Sequence, residues 1–151
     1  MNLENKVVVI SGGASGLGLA TARYLVKKKK AKVALLDMNR EAGLSAVEEL
    51  GDENAIFIAT DVTEENDVDA AISATIQKFG AIHVDINAAG IVAPKKILDK
   101  NGIAGSINNF RNVINVNLVG LYTVMAKCAE KMALNEPWSW RRSSFTKNHS
   151  S

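Results

Sequence analysis

The sequence predicts an α/β protein: a parallel sheet wound on both faces by helices. Three observations carry this. Short β-branched apolar runs recur along the chain, amphipathic stretches alternate with them, and each run stops at a glycine, aspartate or asparagine. The runs show no polar alternation, as expected of strands buried on both faces. About four such strands are readable.

The bulk numbers allow one domain. In 151 residues, 47% are apolar and 23% charged, the balance of a globular chain with a single core. No apolar run approaches the ~18 residues of a membrane span, so no membrane partner is expected. The opening MNLENK has neither an apolar leader nor an Arg/Ser-rich presequence. The net charge of +2 misleads: 15 of the 18 basic residues and all 16 acidic ones lie in residues 1–136, leaving that stretch one unit negative. The basic excess belongs to Arg141, Arg142 and Lys147, so the net charge gives no case for a nucleic-acid surface on the body. The one cysteine, Cys128, allows no internal disulfide and is expected to serve as a small apolar helix residue; no metal cluster is expected.

In order, Lys6–Ser11 reads as the first strand and breaks at Gly12 and Gly13. A helix follows from about Gly16 to Lys29, with Leu17, Ala20, Thr21, Tyr24 and Leu25 at helical spacing. Strand, glycine turn and helix bring backbone N–H groups and the positive end of a helix dipole in front of a phosphate. The same pattern also fits an ordinary turn, so its context decides. The Lys27–Lys30 run reads as a solvated helix end. Lys32–Asp37 is the second strand, and Asp37 stands 19 residues beyond Gly18, where a dinucleotide-binding βαβ unit carries an acid for the ribose hydroxyls. That acid favours NAD over NADP.

Arg40–Leu50 reads as a helix with Leu44, Val47 and Leu50 inward, stopped by Gly51. Ala55–Thr60 is the third strand. Thr63, with Asn66 or Asp67, is expected to open a helix to about Phe79 on Val68, Ile72, Ile76 and Phe79. Ile82–Asn87 is the fourth strand, with His83 expected to be packed. Asp37, Asp61 and Asn87 thus all fall at C-terminal strand ends, where such sheets bind ligands. Residues 91–109 read as a long loop. Ile107–Leu134 reads as a long helix, with Phe110, Val113, Val116, Val119 and Leu121 apolar and a kink at Asn115, Asn117 and Gly120. From Pro137 the composition changes to WSWRRSSFTKNHSS, expected to be a disordered tail or not the domain's own sequence.

Four motifs in order resemble the short-chain dehydrogenase/reductase family over residues 1–136. The glycine motif is Ser11-Gly12-x-x-x-Gly16-x-Gly18, the adenine-side pair Asp61-Val62, the strand-end motif Asn87-Ala88-Ala89-Gly90, and the helix motif Val116-Asn117-Leu118. The stretches 12–22, 35–37 and 135–137 look closest to a mitochondrial branch that oxidises 3-hydroxyacyl-CoA thioesters and some hydroxysteroids with NAD. The resemblance implies a Rossmann-type sheet, incomplete here, a mitochondrial location (cytoplasmic being the alternative), and homo-oligomers among full-length members. It also implies NAD contacts at Ser11, Gly12, Ser15, Gly16, Leu17, Gly18, Asp37, Asp61, Val62, Asn87, Ala88 and Gly90. Asn117 would be the tetrad asparagine that holds a water in a proton relay, or else only a kink marker.

Family chemistry also needs a serine and a Tyr-x-x-x-Lys pair. The one such spacing, Tyr24 to Lys28, lies on the first helix, and Tyr122 is followed at that spacing by Ala126. The expectation is a truncated dehydrogenase, with an unrelated tail from a gene-model, splicing or frameshift change, inactive and marginally stable alone. The rival reading is a non-catalytic nucleotide-binding or interaction protein. Lys30 stands where the family usually ends this helix with glycine, a mismatch of about 1 kcal/mol if positive φ is kept.

Overall fold

The computed structural model describes residues 2–93 and 96–136; the predicted tail lies outside the described residues. Four strands, β1 (Val7–Ser11), β2 (Lys32–Asp37), β3 (Ala55–Ala59) and β4 (Val84–Asn87), form one parallel sheet in the order β3-β2-β1-β4. Val9 registers with Ala34 of β2 on one side and Asp85 of β4 on the other. The chain therefore builds outward from β1 to β3, then crosses back to place β4 on β1's far side. The crevice where the winding reverses, at the C-terminal ends of β1 and β4, is where such sheets bind ligands.

The missing polar alternation in β1 has a direct cause. Val8 and Ile10 pack with Ala22, Leu25 and Val26 of α1 (Gly16–Lys29) and with Ala46 and Leu50 of α2 (Arg40–Leu50). On the other face Val9 packs with Val68, Ala71 and Ile72 of α3 (Glu65–Phe79) and with Val124 and Cys128 of α5 (Leu121–Met132). Each fully buried Leu or Ile of this core stabilises the fold by about 1.5–3 kcal/mol relative to exposure.

Several predicted faces are corrected. α1 buries Gly18, Ala22, Leu25 and Val26, while Leu17 and Tyr24 are exposed. α2 buries Gly43, Ala46 and Leu50 and leaves Leu44 exposed. The physical reason is Gly43: a Cβ there would fall 2.1 Å from the Phe57 ring, so the helix settles with this position against the sheet. Thr63 does not cap α3; Glu64 precedes the helix without a side-chain cap bond, and the Thr63 hydroxyl donates to Asp61 instead. β1 and β4 begin at Val7 and Val84, and β3 ends at Ala59, each slightly inside its predicted bounds.

The long helix is three pieces: α4 (Ile107–Ile114), a π-helical segment over Asn115–Gly120, and α5. The wider turn lies where a kink was expected. Gly120 is buried there, and a Cβ on it would meet Val62 Cγ2 at 2.6 Å. Lys30 does adopt the left-handed conformation at φ 56°, with its N–H closing onto the Leu25 carbonyl. Between β4 and α4, Leu98 and Ala104 form an isolated antiparallel bridge.

Candidate functional site

The glycine loop and the strand ends enclose a cleft of about 410 Å³. Its floor depends on missing side chains. Gly12, at φ +66°, lies so close to β4's exit that a Cβ would sit 2.7 Å from the Ala88 carbonyl carbon. A Cβ on Gly18 would fall 2.1 Å from the Gly12 carbonyl oxygen, so only glycine lets the first turn of α1 lie on the loop. Gly16, at φ +51°, has open space where a Cβ would stand. α1 thus opens onto the cleft through Ser15, Gly16 and Leu17, with no acid in its first turn to neutralise the helix dipole.

Asp37 ends β2 at the far rim. Its Oδ2 accepts from the Ala14 N–H at 3.1 Å and its Oδ1 from the Asn39 N–H at 3.0 Å. The carboxylate therefore braces the glycine loop, and each oxygen keeps acceptor capacity toward the cleft. Asp61 turns the chain after β3, its Oδ1 accepting from the Thr63 N–H at 2.9 Å and the Thr63 hydroxyl at 2.7 Å. Val62, Ala88 and Gly90 complete the predicted residues that line the cleft.

Ser11 and Asn87 stand behind the cleft and do not line it. The buried Ser11 hydroxyl donates to Asn87 Oδ1 at 3.1 Å, tying the ends of β1 and β4 together. Asn117 occupies neither strand end. Its Oδ1 accepts from the Ile91 N–H at 2.8 Å and its Nδ2 donates to the Ile91 carbonyl at 2.9 Å, clamping one residue's backbone in both directions. Ile91 is shared between the cleft and a second, largely apolar cavity of about 480 Å³, which Asn117 lines with Val92, Ile97, Ile107, Phe110 and Val113.

Cleft residues missed in the sequence are Leu36, Met38, Thr60, Ala89, Ile91 and Val116. Leu36, Met38 and Thr60 flank the strand ends already singled out and could have been read from that position. Val116 stands in the helix motif already quoted, but that it faces the cleft depends on the π turn, of which the sequence indicates only a kink. His83 is a packing residue: Nδ1 accepts from the Val7 N–H at 3.1 Å, and burial, with Lys6 nearby, pushes its pKa down. Tyr24 and Tyr122 are exposed and line neither cavity. Among the described residues no group of three or more His, Cys, Asp or Glu could hold a metal, and no helix is long and apolar enough to cross a membrane.

The family model for short chain dehydrogenases matches residues 6–138. The chain belongs to the short chain dehydrogenase family. It is 42% identical over 137 residues to a 3-hydroxyacyl-CoA dehydrogenase type-2 of Rattus norvegicus, covering 90% of this chain and 52% of that protein. The Homo sapiens protein of the same name is 40% identical over the same length and the same shares. In structure it superposes on a 3-hydroxyacyl-CoA dehydrogenase type-2 from Mycobacterium avium with a TM-score of 0.83 and 34% identity, covering 91% of this chain and 53% of that one. A 3-ketoacyl-(acyl-carrier-protein) reductase from Brucella melitensis, complexed with NADH, gives a TM-score of 0.76 and 32% identity, covering 85% and 51%. The chain spans about half the length of the curated relatives it matches.

Proposed function

We propose that residues 1–136 are the N-terminal, NAD(H)-binding part of a Rossmann domain, belonging to an oxidoreductase that acts on 3-hydroxyacyl-CoA thioesters or hydroxysteroids. The observation that carries this is one cleft in which the Gly12–Gly18 loop, the start of α1 and the Asp37 carboxylate converge. Space left by the absent Cβ of Gly16 suits a pyrophosphate against the helix N-terminus. Asp37 would accept the adenosine ribose hydroxyls and repel a 2′-phosphate. A nicotinamide bound there would accept a hydride from the substrate carbinol. The apolar cavity across Ile91 offers room for an acyl chain or steroid body, with Asn117 fixing the backbone between the two spaces.

The family chemistry that the resemblance implies removes the carbinol proton with a tyrosine whose pKa a nearby lysine lowers, and neither tyrosine of this chain lines either cavity. The 151 residues by themselves are therefore a cofactor-holding unit without turnover. Titrating the purified chain with NADH and following nicotinamide fluorescence tests binding; saturable enhancement is expected. Absorbance at the nicotinamide band with NAD and 3-hydroxybutyryl-CoA tests turnover, and a steady NADH signal there would contradict the second part.

A further inference from the structure

Behind the cleft lies a carboxylate that the proposed chemistry does not use. Asp85 is two residues before Asn87 on β4, on the sheet face that packs against α5. Asn87 Nδ2 donates to its Oδ2 at 2.5 Å, while its buried Oδ1 receives no N–H or O–H among the described residues, leaving the Cys128 thiol of α5 as a weak donor beside the carboxylate. From Asp85 the bonds run in one direction. Ionised Asp85 can only accept, so Asn87 must turn Nδ2 toward it and present Oδ1 to Ser11. The Ser11 hydroxyl must then donate to Asn87, which leaves its lone pairs for the Ala89 N–H, a long contact at 3.5 Å. The Ser11 carbonyl takes the Ala88 N–H at 3.0 Å. Ala88 and Ala89 are the wall against which Gly12 packs.

We propose that Asp85 is a positioning residue for the cofactor cleft: it sets the polarity of the Asn87–Ser11 chain and thereby the placement of the Ala88–Ala89 wall. This rests on the nucleotide reading of that cleft. A protonated Asp85 can donate as well as accept, so the Asn87 amide loses its enforced orientation.

Burial pushes the Asp85 carboxyl above the ordinary carboxylate range. The titratable group facing it is the Cys128 thiol of α5, itself pushed far up by burial and by Asp85, so it stays neutral through the relevant range. The sign for folding is opposite to the sign for positioning. A carboxyl with a raised folded-state pKa makes the fold more stable as pH falls through that pKa, because the native state binds the proton more tightly. The cleft, by contrast, loses its enforced wall over the same interval.

The test uses the full 151-residue chain and Asp85→Asn. Nitrogen-15 NMR follows the Asn87 side-chain amide and the Ala89 backbone amide from about pH 8 to about pH 4, a span that covers a raised carboxyl pKa. Both signals are expected to titrate with one midpoint in the natural chain and to lose that titration in Asp85→Asn. NADH fluorescence should show binding weaker by about five-fold in Asp85→Asn near neutral pH, the loss expected when a charge-assisted bond becomes a neutral one. Its melting temperature should be equal or higher. Unlinked amide signals, or unchanged NADH affinity in the variant, would overturn the proposal. Linked signals in a natural chain that binds no NADH at any pH would contradict the nucleotide reading itself, and the positioning role with it.

Discussion

The region from β1 to α3 and the region from α4 to α5 are both rich in apolar side chains and treat them differently. In the first, Val8, Val9, Ile10, Leu35 and Leu36 are wholly buried between two layers of helix. In the second, Ile107, Phe110, Ile114, Leu118, Tyr122 and Met125 recur at steps of three or four residues and remain exposed, Phe110 at 64% and Leu118 at 60%. The opposite side meets the core through Val116 of the π segment and through Val124, Cys128 and Met132 of α5. Helical periodicity reports that a face is apolar; it does not report what covers it. The site follows the same division in part: the cleft draws mostly on the first region, while α4 and Asn117 share the apolar cavity with the segment between β4 and α4.

The largest effect should come from crowding the first region. Gly18→Val would drive side-chain carbons into the Gly12 carbonyl, so urea unfolding should show a loss of about 3 kcal/mol or more and NADH binding should vanish. A matched pair sharpens the contrast. Val9→Ser should cost about 2–3 kcal/mol, because a hydroxyl enters a fully buried apolar site. Leu118→Ser should leave the unfolding midpoint unchanged while reducing self-association in sedimentation. Equal destabilisation by both would break the comparison.

Smaller effects lie at the surface. Lys30→Gly should stabilise the fold by about 1 kcal/mol, since φ is already 56° there. The least should come from Glu49→Gln. Arg23 and then Lys27 hold the Glu49 carboxyl down to about 2 through hydrogen bonds. Its contribution is thus present above the ordinary glutamate pKa and lost as pH falls through about 2. Both partners are solvated, so thermal melts should shift little, and salt should erase the difference.

Much of this was legible in the residues. α1, β2 and α2 have their predicted bounds because punctuation is local: Gly12 and Gly13 stop β1, Asn39 caps α2 through the Ala42 N–H, and Gly51 ends it. The alignment of Asp37, Asp61 and Asn87 at strand ends followed from the alternation alone. Contacts between distant segments were not legible. Leu44 reads as inward because nothing local says that Gly43 meets the Phe57 ring. Nor does Asp37 announce that it braces Ala14, or Asn117 that it clamps Ile91, 26 positions earlier. The π segment shifts backbone bonding without changing composition, so asparagines and a glycine could indicate only a kink.

The central claim is that the Asp37 side of the glycine cleft selects NAD(H). Isothermal titration of the 151-residue chain with NADH and then NADPH tests it most directly. One NADH site per chain is expected, with NADPH weaker by at least ten-fold and the gap narrowing in Asp37→Asn. No NADH heat from folded chain, or equal affinity for the two nucleotides, would contradict it.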